Sequence, residues 1–283
     1  MREIKGNLEG SSKEYLIDIY NDISELANVV ERAERKSSRD NSSEDTSSSD
    51  TNSLEEAFHF LKYGSDKFYK NIIKEQKKLN VDNLLGNVMN KQKYEKRVYG
   101  FVPDIPNYLI GNPLNMINIE KTELSHKVVN IFLNTCYPWH IKSEDVNQCG
   151  TVYLTVLDLL EKAGYRVNLY VGVATDLDDN FYYMLMKAKT DKEPMNMKKM
   201  CFPIASSSML RRIYFKWAES CNSKKDATRH GYGQYDRKTH IKNFLEEHLK
   251  TDFIVWEFVN ADGKVKVEDV LEQLKKQGIK LDI

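Results

Sequence analysis

The sequence predicts an α/β protein with a largely parallel sheet, helices on both faces and a helical N-terminal region. Two observations indicate this fold class. First, residues 128–133 and 165–174 are short apolar runs typical of buried strands, and residues 143–163 between them have the spacing of a long amphipathic helix. Second, strand and helix patterns keep alternating towards the C-terminus. The expected architecture is therefore Rossmann-like.

The helix of this strand–helix–strand unit has clear end signals. Glu144 and Asp145 place negative charge at its N-terminus, and Gly164 can turn the chain at its C-terminus. Its apolar stripe consists of Val146, Gly150, Tyr153, Leu154, Leu157 and Leu160. Because such a helix carries the chain back to the start of a neighbouring strand, the two strands are expected to be parallel.

The rest of the C-terminal half continues this alternation. Strands are predicted over residues 181–189 and 253–258. Helices are predicted over residues 206–219, 237–249 and 267–277. Together with the first unit, these elements are expected to form one α/β body over residues 121–283.

The N-terminal segment is predicted to be a helix followed by a linker. Residues 1–35 contain apolar side chains spaced by three and four, which indicates an amphipathic helix over residues 13–35. Residues 36–52 consist almost entirely of small polar and charged residues. Such a segment lacks the apolar surface needed to offset the entropy of ordering, so we expect a disordered linker there.

Regular structure is expected to resume at Ser53. This residue and Glu56 form a capping-box pattern, and Gly64 suits the end of the helix that starts there. Prolines and glycines interrupt residues 101–115, which favours irregular chain. Residues 53–120 are therefore expected to form a helical and irregular first part of the body.

Charge and cysteine content narrow the classes of protein. The 42 basic and 42 acidic residues cancel, which argues against a strong overall attraction to nucleic acid or to an anionic membrane. The four cysteines form no C-x-x-C pair, and there is no apolar leader and no run of about 18 apolar residues. We therefore expect reduced thiols and a cytoplasmic protein without membrane partners.

The loop after the first strand of the unit is the first place to expect a site, because ligands of open α/β sheets bind beyond the carboxyl ends of the strands. Asn134 and Thr135 begin this loop and are candidate binding residues. Cys136, His140 and Glu144 are the candidate catalytic residues, since a thiol near an imidazole and a helix N-terminus can be activated. The alternative to a catalytic site is a structural loop that buries Tyr137 and Trp139.

Other candidate site residues lie further along the chain. Asp176, Asp178 and Asp179 lie at the end of a predicted strand and could hold a hard cation, although a solvated turn is the simpler explanation because they lack a defined ligand spacing. Asp176 and His140 are also candidate binding residues. Arg211 and Arg212 could grip a phosphate or carboxylate, or could anchor their helix through an internal ion pair. No glycine-rich phosphate-binding motif is present, so no cofactor is predicted.

A short basic segment is the candidate for nucleic-acid binding. It contains Lys91, Lys93, Lys96 and Arg97, interleaved with Tyr94 and Tyr99. Aromatic rings can stack on bases while cations neutralise phosphates. A solvated edge of a strand or helix is the simpler explanation, because lysine is frequent throughout the chain.

Several stretches of the sequence resemble an uncharacterised family of tailed-phage proteins. The most specific matching stretch is Gly100-Phe101-Val102-Pro103-Asp104-Ile105-Pro106, followed by Gly111-Asn112-Pro113-Leu114-Asn115-Met116. Others are Ser53-Leu54-Glu55-Glu56-Ala57, residues 159–167 and Met209-Leu210-Arg211-Arg212. The resemblance implies a phage or prophage protein in the cytoplasm of a bacterial host, with virion association as a second location. It implies no established activity.

The predicted body is also similar to a von Willebrand factor A domain. In that family the first strand ends in an Asp-x-Ser-x-Ser metal motif, whereas this chain has Asn134-Thr135-Cys136-Tyr137-Pro138. The resemblance therefore implies the architecture without the metal site.

Three functions remain as hypotheses. The first is a non-catalytic protein-interaction module whose partner is a phage or host protein. The second is an enzyme acting on nucleic acid or nucleotides at the strand ends. The third is nucleic-acid binding without catalysis.

Overall fold

A six-stranded mixed sheet, mostly parallel, forms the centre of this computed structural model. The structure describes residues 1–7, 14–34, 49–78, 94–100, 102–119, 127–138, 140–177, 180–220, 238–258 and 265–279. The strands described are β1 (Arg2–Asn7), β2 (Glu14–Tyr20), β3 (Tyr94–Arg97), β4 (Val102–Pro103), β5 (Met116–Ile119), β6 (Val128–Asn134), β7 (Arg166–Leu177), β8 (Asn180–Lys189) and β9 (Ile254–Glu257).

Helices in these ranges flank the strands. They are α1 (Ile23–Glu31), α2 (Leu54–Tyr63), α3 (Asp66–Lys78), α4 (Ile105–Leu109), α5 (Ser143–Lys162), α6 (Met197–Ala205), a π-helix (Met209–Tyr214), α7 (Phe215–Ser220), α8 (Lys238–Leu249) and α9 (Val267–Lys276). The central sheet has the strand order β1-β2-β8-β7-β6-β9, and a separate three-stranded sheet has the order β3-β5-β4.

The predicted strand–helix–strand unit is confirmed. β6 and β7 are parallel neighbours, in register from Val128 opposite Arg166 to Asn134 opposite Gly172, and α5 connects them. β9 lies parallel to β6 on its other side. β8 runs antiparallel to β7, and β1 runs antiparallel to β2, which makes the sheet mixed.

The helix predicted over residues 13–35 is not confirmed as such. Residues Glu14–Tyr20 form β2, which pairs with β1 and β8, and only Ile23–Glu31 is helical. β2 is an interior strand, and its last five residues are buried on both faces. Because a strand covered on both faces shows no polar alternation, its apolar spacing is as compatible with a helix as with a strand.

Helices cover both faces of the central sheet, as predicted. The larger core packs Ile131, Leu133 and Val171 of the sheet against helices α1–α3, α5–α7 and α9 and the π-helix. The smaller core packs Phe132 and Val255 on the opposite face against α8. Neighbouring residues of β6 point into different cores, as the alternation of side chains along a strand requires.

The capping box at the start of α2 is confirmed. The Glu56 backbone N–H donates to the Ser53 hydroxyl over 3.0 Å, and the Glu56 carboxylate accepts from the backbone N–H of Asn52. Gly64 ends the helix with φ of 76°. Residues 49–52 are part of this described structure, although they were predicted to be linker; residues 36–48 lie outside the described ranges.

The helix predicted over residues 206–219 is found as the π-helix and α7, but the preceding α6 was not predicted. Pro203 lies inside α6. A proline usually marks a helix boundary, so the sequence pattern hid this helix.

Replacing Gly150 with alanine is expected to destabilise the fold by about 1–3 kcal/mol through overpacking. A Cβ atom at this position of α5 would lie 2.4 Å from the Ala205 Cα and 2.7 Å from the Ile204 carbonyl oxygen, so α6 would have to move. Urea unfolding measures the change. Gln148→Ala, on the exposed side of α5, is the control and should be nearly neutral; equal values for the two variants would contradict the close contact.

Candidate functional site

The polar side chains at the end of β6 hold the strand ends together. The Asn134 Oδ1 accepts hydrogen bonds from the backbone N–H groups of Cys136 (3.1 Å) and Ala174 (3.2 Å). The backbone N–H and the hydroxyl of Thr135 both donate to the Gly172 carbonyl, over 2.8 and 3.0 Å. Asn134 and Thr135 are buried, so these candidate binding residues have a structural role at this place.

The three candidate catalytic residues lie in different environments. Cys136 is buried, whereas His140 and Glu144 are exposed. Burial raises the pKa of the Cys136 thiol to about 12, and the Arg211 charge opposes this shift only in part. At neutral pH the thiol is therefore protonated, and a protonated thiol is a poor nucleophile.

The acidic metal candidates fall largely outside the described ranges. The backbone of Asp176 belongs to β7 and pairs with Phe181, but its side chain, like residues Asp178 and Asp179, is outside what the structure describes. Elsewhere in the described chain, no group of three or more His, Cys, Asp or Glu side chains is arranged to hold a metal ion. The metal-binding hypothesis for these aspartates stays a prediction.

Arg211 and Arg212 are both buried, with 8% and 1% of their surface exposed. Arg211 donates to the Pro138 carbonyl (3.3 Å) and lies over the rings of Tyr137 and Phe215. Arg212 donates to the Thr51 carbonyl over 3.0 Å. The two guanidinium groups thus connect the loop after β6 and residues 49–52 to one helical segment.

The carboxylate of Asp50 is the centre of a polar cluster that the sequence did not reveal. Its Oδ1 accepts from the Ser206 hydroxyl (2.6 Å), the Ser208 N–H (3.1 Å) and the Ser208 hydroxyl (2.7 Å). Its Oδ2 accepts from the Ser207 N–H (3.1 Å) and the Asn147 side chain (3.3 Å). We call these residues the Asp50 cluster.

The Asp50 cluster lies where the helical segment 207–220 begins. Backbone N–H groups at a helix start have no partner within the helix, so they bind an anion readily. Three consecutive serines at the start of a predicted helix were the available signal for such a site. Asp50 could not be assigned to it, because it lies more than 150 residues away in the chain.

Residues 94–119 form a second distinctive region, which we call the arm. It consists of β3, β4, α4 and β5, and none of its described residues belongs to a hydrophobic core cluster. Its exposed large apolar side chains are Val98, Tyr99, Val102, Ile105, Tyr108, Leu109, Ile110 and Leu114. No helix in the described ranges, α4 included, is long and apolar enough to cross a bilayer.

The basic segment, residues 91–99, overlaps the start of the arm and has internal contacts in its described part. Lys96 forms an ion pair with Asp104 (2.8 Å), and Arg97 donates to the Tyr99 hydroxyl over 3.2 Å. Lys91 and Lys93 lie outside the described residues. The two cations that are described thus contribute to the structure of the arm.

Comparison with known proteins yields one match. A family model described as a domain of unknown function, DUF7192, matches residues 5–281, nearly the whole chain. No curated protein and no solved structure matches the chain.

Proposed function

Since the chain belongs to the DUF7192 family, a family of unknown function, we propose from its own geometry that it is a non-catalytic protein-interaction module that binds through the arm. The observation that carries this proposal is the exposure of the large apolar side chains that the arm carries between residues 98 and 114. Leu109 and Ile110 are each 77% exposed and Tyr108 is 64% exposed. Soluble monomers rarely leave such a patch uncovered without a binding role.

Side-chain hydrogen bonds preorganise α4 and the turn that follows it in the arm. The Asp104 carboxylate caps α4 by accepting from the Asn107 N–H (3.3 Å) and also binds the Asn107 side chain (2.6 Å). The Asn112 side chain donates to the Asn107 side chain over 3.2 Å. Preorganisation of this kind reduces the entropy lost on binding, which favours recognition of a folded partner.

The charge of the arm indicates the chemistry of the partner. Among residues 98–117, Asp104 is the single charged residue, in a chain with 30% charged residues. Lys96 neutralises that carboxylate and holds its pKa below the usual value. The complementary surface on the partner is therefore apolar and uncharged. The aromatic and aliphatic side chains of the arm match the composition of protein interface cores.

A phage or prophage origin, with residence in the bacterial cytoplasm or the virion, is part of the proposal. Its support is the resemblance of the proline-rich stretch at 100–116 and of the other motifs to tailed-phage proteins. A von Willebrand factor A-like core is also proposed. The parallel unit of β6, α5 and β7 and the loop after Asn134 support it.

The enzyme hypothesis gains less support. A thiolate at Cys136 is disfavoured by burial, and His140 and Glu144 are exposed. Nucleic-acid binding likewise gains little, because Lys96 is engaged with Asp104.

Site-specific photo-crosslinking tests the proposal. With p-benzoylphenylalanine in place of Tyr108, cells carrying the phage or prophage are expected to yield a discrete covalent adduct with one protein. The same amino acid in place of Tyr63 is the control, because Tyr63 is 66% exposed but lies on α2, outside the arm. Leu109→Asp with Ile110→Asp should reduce the adduct roughly tenfold or more.

Three results would overturn the proposal. They are the absence of a protein adduct from position 108, equal adducts from positions 108 and 63, and an adduct that persists in the double aspartate variant. Crosslinking to lipid alone would indicate a membrane surface in place of a protein partner. Circular dichroism of each variant establishes that the body is folded.

A further inference from the structure

The Asp50 cluster is built as a receptor for an oxyanion. Two backbone N–H groups, two serine hydroxyls and one amide converge on a single carboxylate, over 2.6–3.3 Å. Asp50 belongs to the short segment 49–52, which the Ser208 hydroxyl also binds through the backbone N–H groups of Asp50 and Thr51. The anion in this receptor is thus supplied by the chain itself.

Arg211 is a buried cation on the helical segment that begins at this receptor. Its side chain is more than nine-tenths buried, and its Nε has no hydrogen-bond partner. Among the described residues no carboxylate forms an ion pair with it. A buried cation without a counter-ion is costly, and it is stabilised when an anion approaches.

Tyr137 connects Arg211 to the cluster. The Arg211 guanidinium lies 5.1 Å from the centre of the Tyr137 ring, and the Tyr137 hydroxyl donates to the Ser207 carbonyl over 3.2 Å. Burial raises the pKa of this hydroxyl, the Arg211 charge lowers it, and the Asp50 charge raises it. The Arg211 cation and the Asp50 carboxylate therefore shift the pKa of the Tyr137 hydroxyl in opposite directions.

We propose that the Asp50 cluster together with Arg211 is a binding site for a phosphoryl group, with which the Asp50 carboxylate competes as an internal anion. A phosphoryl group has three oxygens where a carboxylate has two. Two of them replace the oxygens of Asp50 at the serines and Asn147, and the third is left for the guanidinium of Arg211. Displacement of Asp50 moves residues 49–52 away from the start of the helical segment 207–220.

Calorimetric titration of the full-length protein with inorganic phosphate, at constant ionic strength, tests this site. Asp50→Ala removes the competing anion and is expected to bind phosphate about tenfold tighter than the wild type. Adding Arg211→Met to Asp50→Ala should reverse that gain. Acetate, which has two oxygens, should bind Asp50→Ala more weakly than phosphate. Comparing phosphate with O-phosphoserine distinguishes a free ion from a phosphoryl group on a partner.

Asp158→Ala is the matched control, because it removes a carboxylate from α5 at its ion pair with Lys162. Equal phosphate affinities for Asp50→Ala, Asp158→Ala and the wild type would overturn the proposal. The proposal would also be overturned if adding Arg211→Met to Asp50→Ala left the phosphate affinity unchanged. Circular dichroism first establishes that each variant is folded. If Asp50→Ala is unfolded, Asp50→Ser takes its place. The proposal would then be overturned if phosphate failed to raise the Tm of Asp50→Ser. The test is independent of the arm.

Discussion

Replacing Lys189 with methionine is expected to lower the free energy of unfolding by about 3–5 kcal/mol. The Lys189 side chain is 2% exposed, and its Nζ lies 2.6 Å from the Glu161 carboxylate, whose residue belongs to α5. The Nζ also donates to the carbonyls of Val167 (3.1 Å) and Thr190 (2.9 Å). Methionine fills similar space but leaves the Glu161 charge buried without its cation, which accounts for most of the cost.

Two further variants separate the buried charge from the lost packing. Adding Glu161→Gln to Lys189→Met should recover part of the stability, because glutamine can still accept from the Met195 N–H without a charge. Lys62→Met breaks the more exposed ion pair with Glu31 and should cost at most about 1 kcal/mol. Urea unfolding measures all three. A cost for Lys189→Met no larger than that for Lys62→Met would show that the buried pair contributes little.

Asp18 is expected to make stability fall as the pH rises from about 4 to about 6. Burial in β2 raises the pKa of this carboxyl to about 6, and the hydrogen bond from the Trp217 Nε1 (3.2 Å) opposes the shift only in part. The folded protein therefore holds the proton more tightly than the unfolded chain. Above pH 6 the folded state has to bury the charge, at a total cost of about 3 kcal/mol.

The variant Asp18→Asn isolates this contribution. Its stability relative to the wild type should increase by about 2 kcal/mol between pH 4 and pH 7.5, because asparagine does not ionise. Asp158→Asn makes the same change at the surface of α5 and serves as the control. Unfolding in urea at a series of pH values gives both curves. Parallel curves for Asp18→Asn and the wild type would refute the buried ionisation.

The arm shows how a local signal in the sequence can be misread. Prolines and glycines interrupt residues 101–115, so the sequence favoured irregular chain there, and residues 98–117 contain a single charge. The structure instead contains two short strands and α4, with Leu109 and Ile110 exposed. Low charge predicts burial equally well in a core or in an interface, and only the packing distinguishes the two.

The Asp50 cluster shows a different limit. The run of serines at the start of a predicted helix lies close in the sequence to Arg211 and Arg212, and an anion partner for them could be expected. Which acid supplies that anion depends on where residues 49–52 lie after folding. The chain contains 42 acidic residues, and no local pattern selects Asp50 among them.

The sequence by itself determined the elements whose stability depends on neighbours within the same segment. These include α5 with its apolar stripe and the capping box at Ser53. The parallel pairing of β6 with β7 followed from their connection by a helix. Tertiary structure alone decided that β2 is an interior strand, that Cys136 is buried whereas His140 is exposed, and that Asp50 reaches Ser206. The physical reason is that helix periodicity and caps depend on residues three or four apart, whereas burial and ion pairing depend on contacts between distant segments.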